Sequence, residues 1–397
     1  MRPGTPGFVP QRLRRAREAR TMSVQSLSEI LSISRQSLTA YESGTQTPGP
    51  LILARLAAAL GQPERHFITP LPQLAPMSLQ YRSVIAATER SRKKSERRFE
   101  WFREIVGYVE EHIEFPGMDV PDFGISDPLR LSDEDIETLA NELRKHWSLG
   151  NGPIGNMVAL LESRGIVVTR FALDSHHLDS FCAHARDLPA YVVLNAEVIY
   201  SARSRLDAGH ELGHVVLHRG HQCNPTDHAQ IERQAFRFGA AFMFPEVSFR
   251  REVIDTSLPS LTAVKKRWNL SIKMMIQRAI QLDLVDDERA TRLWKYYSSR
   301  KLSREEPFDR DTPLEQPRLL QQAFEMLVAE GRPATQILED LPFGAREIEE
   351  LASLREGFFP ADLAPVIDLK PRDGQKTLFD SVGDGTVLRF PSSPTKN

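Results

Sequence analysis

Residues 206–222 read LDAGHELGHVVLHRGHQ. Four histidines fall within twelve residues, and Glu211 directly follows the first. Residues four apart share one face of an α-helix, so His210 and His214 point the same way. With Glu232, beyond a turn, they can supply the three protein ligands of a catalytic zinc and leave a fourth position for water. Hydrolysis at such a site also needs a general base beside the water, and Glu211 stands in the motif's place for it. The competing reading is a helix that is merely rich in histidine, because a five-residue pattern also occurs by chance.

Three neighbouring features favour the catalytic reading. AYVVLN (190–195) is an apolar strand beside the helix, and as an edge strand it could hold an extended peptide by β-augmentation. Gly213 lies inside the motif, where glycine costs about 1 kcal/mol in a helix interior; close approach by another backbone would explain it. IERQAFRFGAAFMFP (231–245) sets Glu232 and Ala235 in an E-x-x-A arrangement on an apolar helix. His218 and His221 fall on roughly the same face as His210, as alternative ligands, transition-state stabilisers or solvated side chains. His228 and Cys223 sit in a loop-like stretch and are not expected to be ligands.

The segments YVVLN (191–195), RSRLDAGHELGHVVLH (203–218) and IERQAFRFGAAFMFP together resemble the ImmA/IrrE family of zinc metallopeptidases. The resemblance covers about residues 147–246, from WSLGNGPIGNMVALLESRGIVV onward. By position it implies His210, His214 and Glu232 as zinc ligands and Glu211 as the base. Many relatives carry a second glutamate and an asparagine around the alanine of the third motif. Here Gln234 and Phe236 take those places, which leaves Glu232 as the one acidic residue of the motif. The ligand set favours zinc, with manganese or iron as replacements in a purified sample.

The rest of the chain bounds the setting. Its 397 residues are enough for two or three domains. A 41% hydrophobic content with mixed charge reads as globular. No apolar run reaches the roughly 20 residues that span a bilayer, and MRPGTPGFVPQRLRRAREAR lacks the apolar core of a secretory signal. Two cysteines, Cys182 and Cys223, form no disulfide framework and suit a reducing cytoplasm. The net charge is −2, yet the first 66 residues hold nine arginines, no lysine and four glutamates, a local +5. That end therefore suits an acidic partner.

SVQSLSEILSISRQSLTAYESGTQTP (23–48) fits a helix-turn-helix. VQSLSEIL is its first helix and SIS the turn. Ser34 caps the second helix, RQSLTAYESG, which stops near Gly44. Leu27, Ile30, Leu31, Ile33, Leu38 and Tyr41 form the expected core. Arg35, Gln36 and Thr39 then point outward at the start of the second helix, where such a helix meets base edges in the major groove. Gln25 is placed to touch a phosphate, with Arg12, Arg14, Arg15 and Arg17 adding charge for the backbone. Over residues 10–62 the stretch resembles the phage-repressor, XRE-type helix-turn-helix. The alternative is a small helical domain that binds protein.

The organisation that follows is multidomain: an all-α helix-turn-helix domain (1–68), a Pro-rich linker (69–78), a helical connector (79–130), an α+β zincin-like ImmA/IrrE domain (131–250), and a mainly helical C-terminal region (251–397) ending in a disordered tail. The basic run at 90–98 reads as a solvated helix face. In the peptidase region Ser132 and Asp135 form a capping box, Gly165 stops a helix, and IVVTRF and AYVVLN are strands flanking SFCAHARDLP. The expected activity is that of a DNA-binding zinc endopeptidase that cleaves a repressor or antitoxin-like protein. Double-stranded DNA and that protein are the expected partners, and such modules often bind paired half-sites as dimers. The alternative is a regulator that senses a ligand or partner through its zinc domain and cleaves nothing.

Overall fold

The N-terminal residues form four short helices, α1 (Pro10–Ala19), α2 (Val24–Leu31), α3 (Arg35–Ser43) and α4 (Pro50–Leu60). The computed structural model describes residues 4–81, 89–173, 179–185, 188–221, 224 and 226–360. Ser23 and Ser34 accept hydrogen bonds from the Ser26 and Ser37 amides, each at 3.0 Å, and so cap α2 and α3. Gly44, at φ +76°, ends α3 in the left-handed conformation that glycine tolerates best. Leu13, Leu27, Leu31, Leu38, Leu56 and Leu60 close the core. Ile30, expected among them, is 54% exposed. Leu27 and Leu31 already fill the inward stripe of α2, and Ile30 lies on its outer shoulder.

The expected arginine contacts to DNA need correction. Arg12 is buried, and its guanidinium donates to Glu104 at 2.8 and 2.6 Å and to the carbonyls of Thr69 and Pro70 at 3.0 and 2.8 Å. Arg17 donates to Glu42 at 2.6 and 2.8 Å. Both charges are spent inside the protein, and Arg12 pins the start of the Pro-rich stretch.

That stretch leads into a strand, β1 (Ser78–Tyr81), where the sequence pattern suggests helix from Leu79. The connector helix proper is α5 (Glu89–Glu110). The start of its basic run is solvated as expected, with Arg90 exposed and Lys93 paired with exposed Glu89, but the end of the run is not. Arg98 is buried 4.8 Å over the Phe171 ring and pairs with Glu350 at 2.7 Å, and Arg97 pairs with Glu18 at 2.7 Å. The reason is that α5 is enclosed by α1, the sheet and helices from the end of the chain.

Next come α6 (Asp133–His146), opened by the expected Ser132–Asp135 capping box, and α7 (Met157–Ser163), followed by Gly165 at φ +74°. The strands β2 (Val167–Phe171), β3 (Ser180–His184) and β4 (Tyr191–Asn195) complete a sheet of order β1-β3-β4-β2. β2 and β4 are parallel; β3 is antiparallel to both β4 and β1. This corrects the expected edge strand. β4 is hydrogen-bonded on both sides, and the edge of β3 is occupied by β1, with Ser78 opposite His184 and Gln80 opposite Cys182. No local pattern reveals a pairing between segments a hundred residues apart.

Alternation along the strands divides the interior. Phe181, Ala183, Tyr191 and Val193 face α5 and share one core with α1–α4. Cys182, Val192 and Leu194 face the other way, onto α8 (Ser201–Leu217) and α9 (His228–Met243). Beyond these, α10 (Glu246–Glu252), α11 (Leu258–Trp268), α12 (Ile272–Gln281) and α13 (Asp287–Ser299) extend the second core, through Trp268, Met274 and Met275 among others. The last helices, α14 (Leu319–Ala329), α15 (Ala334–Asp340) and α16 (Ala345–Leu351), return to the first core. As far as Phe359 the described residues form one compact unit. The expected disordered tail and Cys223 lie outside the described residues. Among the described residues no helix is long and apolar enough to cross a membrane.

Candidate metal centre and nucleic-acid interface

α8 is small or apolar on nearly every side (Ala202, Leu206, Ala208, Leu212, Val215, Val216), so it is buried along almost its whole length. It crosses α9 closely. A Cβ on Gly213 would stand 2.7 Å from the Ala235 carbonyl oxygen and 3.0 Å from its Cα. The glycine therefore answers to a neighbouring backbone, as its position suggested.

That crossing assembles a cluster. His210 Nε2 and His214 Nε2 lie 3.1 Å apart, and each is 3.2 Å from a different oxygen of Glu232. One ligand atom from each residue falls within 4.8 Å of the others, and both histidines are buried. Two imidazole nitrogens and a carboxylate oxygen converging at this distance fit a divalent cation. Burial opposes the charge on Glu232. The close approach of His210 and His214 outweighs it and holds the carboxyl far below the usual carboxylate range. His228, placed by sequence in a loop, is the first residue of α9, with Nδ1 3.9 Å from Glu232.

Glu211 is fully buried beside the cluster. Burial pushes its carboxyl up to about 7, and the charge of Glu232 adds to this; His214 and a 2.5 Å hydrogen bond from Ser180 Oγ act in the other direction. A carboxyl poised near neutrality can take up and release a proton at ordinary pH.

The sequence reading missed much of the surroundings. Ser180, Cys182 and His184 share the face of β3 turned to α8. Burial drives the Cys182 thiol well above its ordinary value, with Glu211 contributing. Burial brings His184 down to about 3, helped by His214 and Arg219, and neither of its ring nitrogens has a hydrogen-bond partner among the described residues. Period-2 alternation in SFCAHA was the available signal. His218 is buried and bonded within the protein, so the solvated alternative falls; His221 is half-buried. One turn from His210 and Glu232 opens a cleft of about 640 Å³, walled by Leu206, Phe236, Met274, Trp294 and Tyr297.

On the helix-turn-helix, Arg35, Gln36 and Thr39 are exposed on α3 and line one shallow groove with Ser43 and Thr45. Ser34 is exposed, with its hydroxyl engaged in the α3 cap. Gln25 is exposed on α2 and donates to Glu29.

A helix pair that brings two histidines and a glutamate together beneath a small mixed sheet defines a metallopeptidase-like domain, and the serine-capped pair α2–α3 defines a helix-turn-helix of the DNA-binding kind. Residues 161–279 match the family model described as IrrE N-terminal-like domain, and residues 13–67 match that described as helix-turn-helix. The chain joins an XRE-type helix-turn-helix domain to an ImmA/IrrE-type domain. A search of curated proteins returned no match.

Proposed function

We propose that the protein is a DNA-binding, zinc-dependent endopeptidase that cleaves a repressor or antitoxin-like protein and so alters transcription. The observation that carries this reading is the placement of buried Glu211 beside the convergent His210, His214 and Glu232. In this reading those three residues hold the metal. Bound there, zinc would polarise the scissile carbonyl and acidify a water molecule. Glu211 receives the proton of the attacking water and passes it to the leaving amine. Ser180 orients Glu211 through its hydroxyl, and the neighbouring cleft accommodates substrate side chains. Arg35, Gln36 and Thr39 read bases, Gln25 meets a phosphate, and Ser34 fixes the start of the reading helix.

Metal content and activity in cells test the proposal together. Wild-type protein should carry about one zinc per chain; His214→Ala and Glu232→Ala should lose it. Glu211→Gln should keep metal and DNA binding but fail to relieve repression. Normal derepression by Glu211→Gln would remove the peptidase reading. It would favour a regulator that senses a ligand or partner through its zinc domain, a role to which the core shared by α1–α4 and the sheet is suited.

A further inference from the structure

Behind the metal cluster runs a line of buried polar groups with no part in the chemistry described so far. The Pro128 carbonyl can only accept, so the Gln234 amide nitrogen donates to it, at 2.8 Å. That turns Gln234 Oε1 towards His218 Nε2, 3.1 Å away. An amide oxygen can only accept, so His218 carries a proton on Nε2. His218 and Gln234 are 0% and 1% exposed. Among the described residues the hydrogen-bond partners of His218 are an imidazole and an amide, and neither would neutralise an imidazolium there. Neutral His218 then has its lone pair on Nδ1, which lies 3.1 Å from Nδ1 of His214. His214 must place a proton on that nitrogen. Its Nε2, the nitrogen facing Glu232 and His210, is the one free to bind a metal.

We propose that His218 and Gln234 are positioning residues: a relay from the Pro128 carbonyl through Gln234 and His218 fixes the tautomer and ring orientation of His214, so that Nε2 meets the metal. The inference rests on the metal-binding part of the proposed function and not on proteolysis. A fixed backbone carbonyl thus sets the direction of every hydrogen bond in the line. Groups that orient a ligand in this way commonly change metal affinity about 10–100-fold when removed.

The test compares full-length wild type with Gln234→Leu, Gln234→Glu and His218→Phe. Zinc affinity is read by chelator competition, and histidine tautomers by long-range ¹H–¹⁵N spectra of the metal-free protein. Gln234→Leu keeps the approximate volume but removes the acceptor; it should weaken zinc by about 10–100-fold and lose the pure Nε2–H form of His218. Gln234→Glu sets a carboxylate against His218 and favours an imidazolium protonated on Nδ1 as well, so it should also weaken zinc by about 10–100-fold and show the charged form of His218 in the spectra. His218→Phe should resemble Gln234→Leu. A role in packing alone predicts that leucine, of similar volume, leaves zinc affinity unchanged, and that result overturns the proposal. So does an unchanged His218 tautomer in Gln234→Leu. If wild type binds no metal, the metal reading fails while the tautomer spectra still decide the relay.

Discussion

Glu211 shows how much one carboxyl depends on its surroundings. Burial raises its folded pKa to about 7, above an ordinary value near 4.5. Between those values the folded protein holds a proton that the unfolded chain has released. Its contribution to stability is therefore full below about pH 4.5 and is lost as pH rises through 7. In metal-free protein, Glu211→Gln should be more stable than wild type at pH 8 by on the order of 3 kcal/mol, and the gap should close by pH 4.5. Melting curves in chelator at both pH values check this; a gap independent of pH would contradict it. His210, Glu211, His214 and Glu232 were legible in the sequence, because helical spacing and a nearby helix suffice to bring them together. Ser180 and His184 were not, because only the folded sheet lays β3 along α8. Arg12 and Arg17 were misleading, since a charge count does not show which guanidinium groups meet carboxylates inside the protein.

Elements are constrained where they cross. The approach of α8 to α9 at Gly213 decides whether Glu232 reaches the two histidines. Gly213→Ala would drive a methyl group against the Ala235 backbone, and neither helix can move without disturbing the buried side chains around it. The expected cost is about 1–3 kcal/mol, measured by denaturant unfolding, with weaker zinc binding by the same variant as Glu232 is pushed away. Equal stability and equal affinity would mean that the helices separate freely here. This contact was readable in outline, since a glycine inside a helix invites the question of what comes close. The caps at Ser34 and Ser132 were readable too, because each involves residues only three apart. The partner of β3 was not, because it depends on a segment far upstream.

At the scale of the whole molecule, the helix-turn-helix is not a bead on a string. Leu13 and Leu38 belong to the same core as Phe102, Tyr191 and Ile348. Arg12 ties α1 to α5 through Glu104, with the two side chains 1% and 12% exposed. Arg12→Ala should cost about 3–5 kcal/mol, as expected when one member of a buried pair is removed. Calorimetry of the wild type should show one transition up to Phe359, and the variant should shift it as a unit. Two separate transitions would mean that α1–α4 unfold on their own. The strand at Ser78–Tyr81 has a consequence of another kind. It belongs to the chain it covers, so it competes for the flank of β3 as if present at about millimolar concentration. A free peptide of ordinary affinity is outnumbered there by a resident that never diffuses away. A guest gains that flank by being tightly bound or by being held close, and a protein bound to neighbouring base pairs is held close.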